Sequence, residues 1–255
     1  MDKPIIGIVP SIKNQENPYQ DTSSFVNMYA EKILSSGGIP LGMLTRNVNE
    51  YLSICDGYLW PGGNKIEWAF LKILEDTIKN GKTTLGVCLG MQTICTYFTV
   101  LEDMKPGQDF KTAYDANKFS NPYLTTVGNS GIHSHSIIDR GESVERAKHD
   151  IEISENSILS KIYQTQKRKV VSLHNYCVRR LSKDLLVSAR SSDNVIEGVE
   201  YTQNNCNIIG VQYHPEIEED SRIFDYLVSS CYQGRSRKKS QRIKEYHERI
   251  RRKVY

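Results

Sequence analysis

Short apolar runs alternate with amphipathic stretches along most of this chain. Ile5-Ile6-Gly7-Ile8-Val9 lies between Pro4 and Pro10 and reads as a buried strand. From Ser23 onward Phe25, Val26, Tyr29, Ala30, Ile33 and Leu34 share one helical face, and Gly37-Gly38 ends that helix. A strand near Ile39 to Leu44, a short helix at Asn49 to Ile54 and a strand at Gly57 to Trp60 follow, the last stopped by Pro61-Gly62-Gly63. Ile66, Phe70, Ile73, Leu74 and Ile78 mark another helix. Thr83 to Val87 is strand-like, and the chain turns at Cys88-Leu89-Gly90 into a helix through Tyr97. This βαβα rhythm predicts a parallel sheet with helices on both faces.

The stretch from about Glu102 to Arg146 breaks the pattern. It is polar and irregular, of a length that usually covers a site, and is expected to add short antiparallel strands. From Ile151 the rhythm returns: a helix at Ser157 to Tyr163, strands at Val170 to Leu173, Leu185 to Ala189, Val195 to Tyr201 and Asn207 to Gln212, and a helix from about Asp220.

Composition narrows the class. The 255 residues, 38% hydrophobic and 25% charged, suit one globular core. No apolar run approaches the ~18 residues of a membrane span, and the Ile5 to Val9 stretch is too short for a signal peptide, so a cytoplasmic location is expected. Six cysteines without a C-x-x-C pair fit reduced thiols better than a disulfide framework. Residues 234–255 hold ten Lys/Arg and two Glu, a local charge of +8 that leaves −5 on the remainder. We therefore divide the chain into a main domain, 1–233, and a basic tail, 234–255. In the tail Ile243, Tyr246, Ile250 and Val254 have amphipathic spacing, although a frayed terminus is the commoner outcome for such a segment.

Three features point to chemistry. Gly86-Val87-Cys88-Leu89-Gly90 has the G-x-nucleophile-x-G spacing of a sharp strand-to-helix turn. A thiol there meets unsatisfied N–H groups and the positive end of the helix dipole, which favours thiolate, and the Leu89 N–H could bind an oxyanion. On spacing alone a small buried cysteine is an equal reading. Pro61-Gly62-Gly63 ends the preceding strand, where bare N–H groups can approach a ligand, or simply forms a tight turn. In Val211-Gln212-Tyr213-His214-Pro215-Glu216 a strand ends in a histidine whose i+2 carboxylate can orient it. The three together, in this order, form a nucleophile, base and orienter set beside an oxyanion hole.

With these motifs the chain resembles the class I glutamine amidotransferase superfamily, and within it is most similar to the γ-glutamyl-γ-aminobutyrate hydrolase group, the C26 peptidases. The likeness runs from Lys3-Pro4-Ile5-Ile6-Gly7-Ile8 through Gly37-Gly38-Ile39-Pro40, Asp56-Gly57, Pro61-Gly62-Gly63 and Ser172-Leu173-His174 to His214-Pro215-Glu216. It implies a flavodoxin-like α/β three-layer sandwich, with a mostly parallel central sheet and a small antiparallel portion. It also implies that Cys88 attacks a γ-glutamyl amide, that His214 carries the proton and that Glu216 orients it. Gly63 and Leu89 would form the oxyanion hole, and Gly62, Gln92, Ser172, His174 and Asn175 would hold the substrate. No metal or organic cofactor is implied.

The sequence departs from the hydrolase pattern at Leu89, where the group usually carries Arg, at the short Asn64-Lys65-Ile66-Glu67 passage, and at Ser172-Leu173-His174-Asn175-Tyr176. Two alternatives therefore stand beside hydrolysis of a small γ-glutamyl amine: a glutaminase subunit feeding ammonia from glutamine to a separate synthase, and a non-catalytic binding protein. The protein partners left open are a second copy, in a homodimer, and a separate synthase subunit; the tail's partner is unassigned. His133-Ser134-His135 places two imidazoles together but lacks the further ligands of a metal site.

Overall fold

The computed structural model describes residues 3–13, 22–63, 68–117, 123–127 and 144–232. In chain order, β1 (Ile5–Ile8) leads into a two-stranded antiparallel hairpin of β2 (Ser11–Lys13) and β3 (Thr22–Ser24). Helix α1 (Asn27–Ser35) follows, then β4 (Ile39–Gly42), α2 (Val48–Ile54), β5 (Gly57–Trp60), α3 (Lys72–Asn80), β6 (Thr83–Val87) and α4 (Leu89–Asp103). Next come α5 (Phe110–Asn117), β7 (Leu124–Thr126), β8 (Lys148–Ile153), α6 (Ile158–Tyr163), β9 (Lys167–Val171), β10 (Tyr176–Val178), β11 (Leu186–Ser191), β12 (Ile196–Tyr201) and β13 (Asn207–Val211). A last helix, α7, covers 222–232.

Nine strands make one sheet in the order β4-β1-β5-β6-β13-β12-β11-β8-β9. The first five are parallel to one another and the rest run antiparallel. This is the flavodoxin-like α/β arrangement with its antiparallel extension. The parallel strands are covered on both faces, which is why β5 and β6 are buried at every position. On one face Ile6, Ile8, Leu59, Leu85 and Val87 meet Tyr29 and Ile33 of α1 and Phe224 and Leu227 of α7. On the other, Tyr58 and Trp60 pack with Ile73 and Leu74 of α3 and with Met91 and Ile94 of α4. Burial on this scale is the main stabilising term.

Several boundaries differ from the sequence expectation, for identifiable reasons. Thr22–Ser24 pairs with β2, so α1 begins at Asn27 instead of Ser23. The helix stop at Gly37 stands: its φ is +87°, and Gly37 and Gly38 donate back to Leu34 and Ile33 at 3.0 and 2.9 Å. Helix α4 runs on past Tyr97 to Asp103. The polar middle contains α5, which local composition hides because its order comes from packing: Phe110 stacks on Tyr97 of α4 with ring centroids 5.5 Å apart. The same region supplies an antiparallel strand, β7, paired with β10. The strand placed at Val170 to Leu173 is Lys167–Val171, and β8 before it alternates buried His149, Ile151 and Ile153 with outward polar residues.

All six cysteines are free and buried. Burial pushes the Cys55 thiol up to about 12 and Cys206 to about 11, so neither is a nucleophile at neutral pH. No helix among the described residues is long and apolar enough to cross a membrane. His133, His135, Asn64 to Glu67 and the basic tail lie outside the described residues.

Candidate active site

Strands β5, β6 and β13 are neighbours in the parallel part of the sheet, with Trp60 opposite Gly86 and Val87 opposite Val211. Their carboxyl ends therefore deliver Pro61-Gly62-Gly63, Cys88 and the Gln212 to Glu216 segment to one edge. That is where ligands bind in open α/β sheets.

The Cys88 turn is tight. Its φ of +52° and ψ of −107° place a non-glycine residue in a strained conformation. The turn is held from both sides, by a 2.8 Å bond from the Cys88 N–H to the Val211 carbonyl and a 3.0 Å bond from the Gln92 N–H to the Cys88 carbonyl. Both flanking glycines are required by space. A Cβ on Gly90 would lie 2.1 Å from the Trp60 carbonyl oxygen, and one on Gly86 2.7 Å from the Gly90 carbonyl carbon. The sulfur is thus presented at the first turn of α4, among its unsatisfied N–H groups.

His214 is buried with Nδ1 2.6 Å from Glu216 Oε1, and its backbone N–H donates to the Val171 carbonyl at 2.8 Å. Burial acts to depress the imidazole pKa, but hydrogen bonding and charge from Cys88 and Glu216 outweigh it and raise the pKa to about 10. Gly62 lies between the Cys88 and His214 side chains: a Cβ there would stand 3.0 Å from His214 Cε1 and 3.4 Å from Cys88 Cβ. Gly63 adjoins Leu89, whose Cδ2 would be 3.4 Å from an added Cβ. Cys88, His214, Glu216, Gly62, Gly63 and Leu89 are therefore together.

The remaining residues expected at the substrate lie on two adjoining elements. Gln92 is buried, and its Nε2 donates to the Tyr176 carbonyl at 2.9 Å and to Gln212 Oε1 at 3.1 Å. Ser172 is buried directly after the residue that His214 holds, and its N–H donates to the Ala147 carbonyl at 3.0 Å. His174 is buried, with Nδ1 donating to the Tyr176 carbonyl at 2.9 Å. Asn175 is exposed, and its carbonyl accepts the Val127 N–H at 3.0 Å.

Tyr29 belongs to this site, although its helical spacing marks it only as a core residue. It is 1% exposed, and its hydroxyl accepts the Gly62 N–H at 3.3 Å. Its pKa is raised well above 10, first by burial and then by the Glu216 carboxylate beside it. The available signal was chemical: a buried tyrosine hydroxyl must find polar company. Glu197, His149 and Gln212 were likewise missed.

A family profile, Peptidase C26, matches residues 67–216. The chain belongs to the peptidase C26 family. Among its relatives in sequence is a glutamine amidotransferase-like protein of Rickettsia prowazekii, 26% identical over 87% of this chain and 94% of that protein. The CTP synthase of Thermosipho africanus is 27% identical over 74% of this chain, which spans only 38% of that longer protein. The fold of this C26 member is also similar to two solved structures. One is the glutaminase domain of Trypanosoma brucei CTP synthase with bound acivicin, with a TM-score of 0.63, 17% identity and coverage of 90% of this chain and 94% of that one. The other is a GMP synthase subunit from Thermoplasma acidophilum, with a TM-score of 0.60, 16% identity and coverage of 94% and 99%.

Proposed function

We propose that this C26 protein is a cysteine-dependent hydrolase that cleaves the γ-glutamyl amide bond of a small γ-glutamyl amine. The observation that carries the proposal is the strained Cys88 turn beside the His214–Glu216 pair at 2.6 Å. Cys88 Sγ attacks the amide carbon, and the oxyanion that forms accepts the N–H groups of Gly63 and Leu89. One such donor is worth about 3 kcal/mol of barrier. His214 Nε2 gives its proton to the leaving amine, the C–N bond breaks and a γ-glutamyl thioester remains. His214 then takes a proton from water, which attacks the thioester, and glutamate leaves as the thiolate returns. Glu216 orients the imidazole and balances its charge; Gln92, Ser172, His174 and Asn175 shape the glutamyl side.

A second reading, ammonia delivery from glutamine to a separate synthase subunit, is favoured by Leu89 after the nucleophile and by the CTP synthase and GMP synthase likenesses. Glutamate release from γ-glutamyl-γ-aminobutyrate, related γ-glutamyl amines and glutamine decides between them, with Cys88→Ala as the blank. The hydrolase expectation is turnover of γ-glutamyl amines, little turnover of glutamine and none in the variant. Glutamine turnover alone supports the ammonia-delivery reading, and inactivity on all substrates sinks the hydrolase reading and turns the search to a missing synthase partner or a non-catalytic role.

A further inference from the structure

A second cluster of buried titratable groups adjoins the Cys88–His214–Glu216 set. Glu197 of β12, with 0% exposure, places Oε1 3.2 Å from His149 Nε2 and 3.5 Å from His174 Nε2. Burial acts to raise its pKa, and hydrogen bonds with the two histidines overcome this and lower it to about 2. A buried carboxylate is costly unless it is paired, so these three side chains hold one another in place. They come from β8, from the segment after β9 and from β12, which local sequence does not connect.

One tie between the cluster and the helix that begins after Cys88 runs through a single atom. The Tyr176 carbonyl oxygen accepts His174 Nδ1 and Gln92 Nε2, each at 2.9 Å. Gln92 lies one turn after Cys88 and donates its N–H to the Cys88 carbonyl at 3.0 Å. Its Nε2 also reaches Gln212 Oε1 at 3.1 Å, and the Gln212 N–H donates to the Glu197 carbonyl at 3.0 Å. With the His174–Glu197 contact at 3.5 Å these bonds close a ring: Gln92, the Tyr176 carbonyl, His174, Glu197 and Gln212. Its members flank the segment 172–176 on one side and the first turn of α4 on the other.

We propose that Glu197 is a positioning residue for substrate recognition. Acting through His174, with His149 as its second support, it fixes segment 172–176 against α4 and so sets the glutamyl side of the site. The inference rests on the glutamyl-binding reading above. A cluster that served folding alone would leave the selectivity of Cys88 unchanged in any variant that folds. A positioning cluster alters how well the glutamyl group is recognised, while intrinsic thiol chemistry persists.

The test compares two alkylations of Cys88 in the full chain. Each forms a C–S bond and expels chloride, one from a glutamine-analogue chloromethyl ketone and the other from chloroacetone, which lacks the amino-acid portion. In Glu197→Gln the chloroketone rate should fall about tenfold while the chloroacetone rate stays within about twofold of the parent. A folded E197Q with unchanged selectivity overturns the proposal. So does an equal fall in both rates. Should E197Q fail to melt cooperatively, His149→Gln removes the outer support alone and should cost about threefold in the same selectivity; no change there also overturns it. A parent protein that shows no preference for the chloroketone sinks the glutamyl-binding reading itself, an outcome distinct from the failure of Glu197.

Discussion

The two halves of the nine-stranded sheet position reactive groups by different means. In the parallel half, placement is a matter of backbone. Three neighbouring strands end at one edge, Cys88 is forced to a φ of +52°, and glycines at 86 and 90 let main chain approach main chain. In the antiparallel half, placement depends on side chains from distant elements. Glu197 binds His149 and His174 there, and Glu200 caps α6, accepting the N–H groups of Ile158 and Leu159 at 2.8 and 2.9 Å. The buried pair of Asp76 and Lys82, 2.6 Å apart, lies at the amino end of β6, away from Cys88. The Asp76–Lys82 pair therefore supports the fold, whereas the Glu197 carboxylate borders the site.

The sharpest break of this contrast is Asp76→Ala. It strands Lys82, whose other partners are the Leu52 carbonyl at 2.7 Å and the Tyr58 hydroxyl at 3.0 Å. Removing one member of a buried pair costs about 3–5 kcal/mol. Chemical denaturation should show that loss, and kcat per folded molecule should match the parent. A matching fall in kcat would mean that the Asp76–Lys82 pair reaches the site after all.

Gly90→Ala tests the backbone side. The added methyl must displace the Trp60 carbonyl, which lies 2.1 Å from its position, and so shift β5 relative to the Cys88 turn. Displacing reactive groups by about 1 Å can cost about 10²-fold in rate. We expect at least that loss in kcat from a protein that still folds. Parent-like turnover would show that the turn tolerates what the geometry forbids.

The contrast also explains what could be read from sequence. The spacing around Cys88 and the pair His214 and Glu216 are local, so five or six residues carry the signal, and the alternating apolar runs carry the parallel sheet. Tyr29, His149 and Glu197 are polar residues whose roles exist only after strands far apart in sequence have been brought together. Helix α5 was hidden for the same reason, since Phe110 and Tyr97 define it only when stacked. Gln92 and His174 were found through family likeness; their shared carbonyl at Tyr176 could not be.

Glu200→Gln probes the antiparallel half without touching the site. An amide offers one acceptor where the carboxylate offers two, and its NH₂ must face either the Ile158 or the Leu159 N–H. An unsatisfied buried donor costs about 1–3 kcal/mol. Thermal melting should record that loss with kcat unchanged. A drop in kcat at constant stability would extend the site to α6.

Glu216→Gln is read through the position of a limb in its pH profile, apart from the fall in plateau rate that loss of the orienting carboxylate brings. His214 has a native pKa of about 10 against an ordinary 6.5, so its protonated form is favoured by the fold. That contribution is fully present below about 6.5 and is lost as pH rises towards about 10. In the proposed mechanism the leaving amine takes its proton from this imidazolium, so the parent's kcat/KM should hold until the alkaline limb near 10. Replacing the carboxylate by an amide removes its charge and leaves only a neutral acceptor for Nδ1, which weakens two of the causes that raise the pKa. The limb must then move to lower pH, while the neighbouring Cys88 keeps it from falling the whole way. A limb that stays in place in E216Q would show that Glu216 orients the ring without tuning its proton. The chemistry of the parallel edge would then rest on the Cys88 turn and His214 alone.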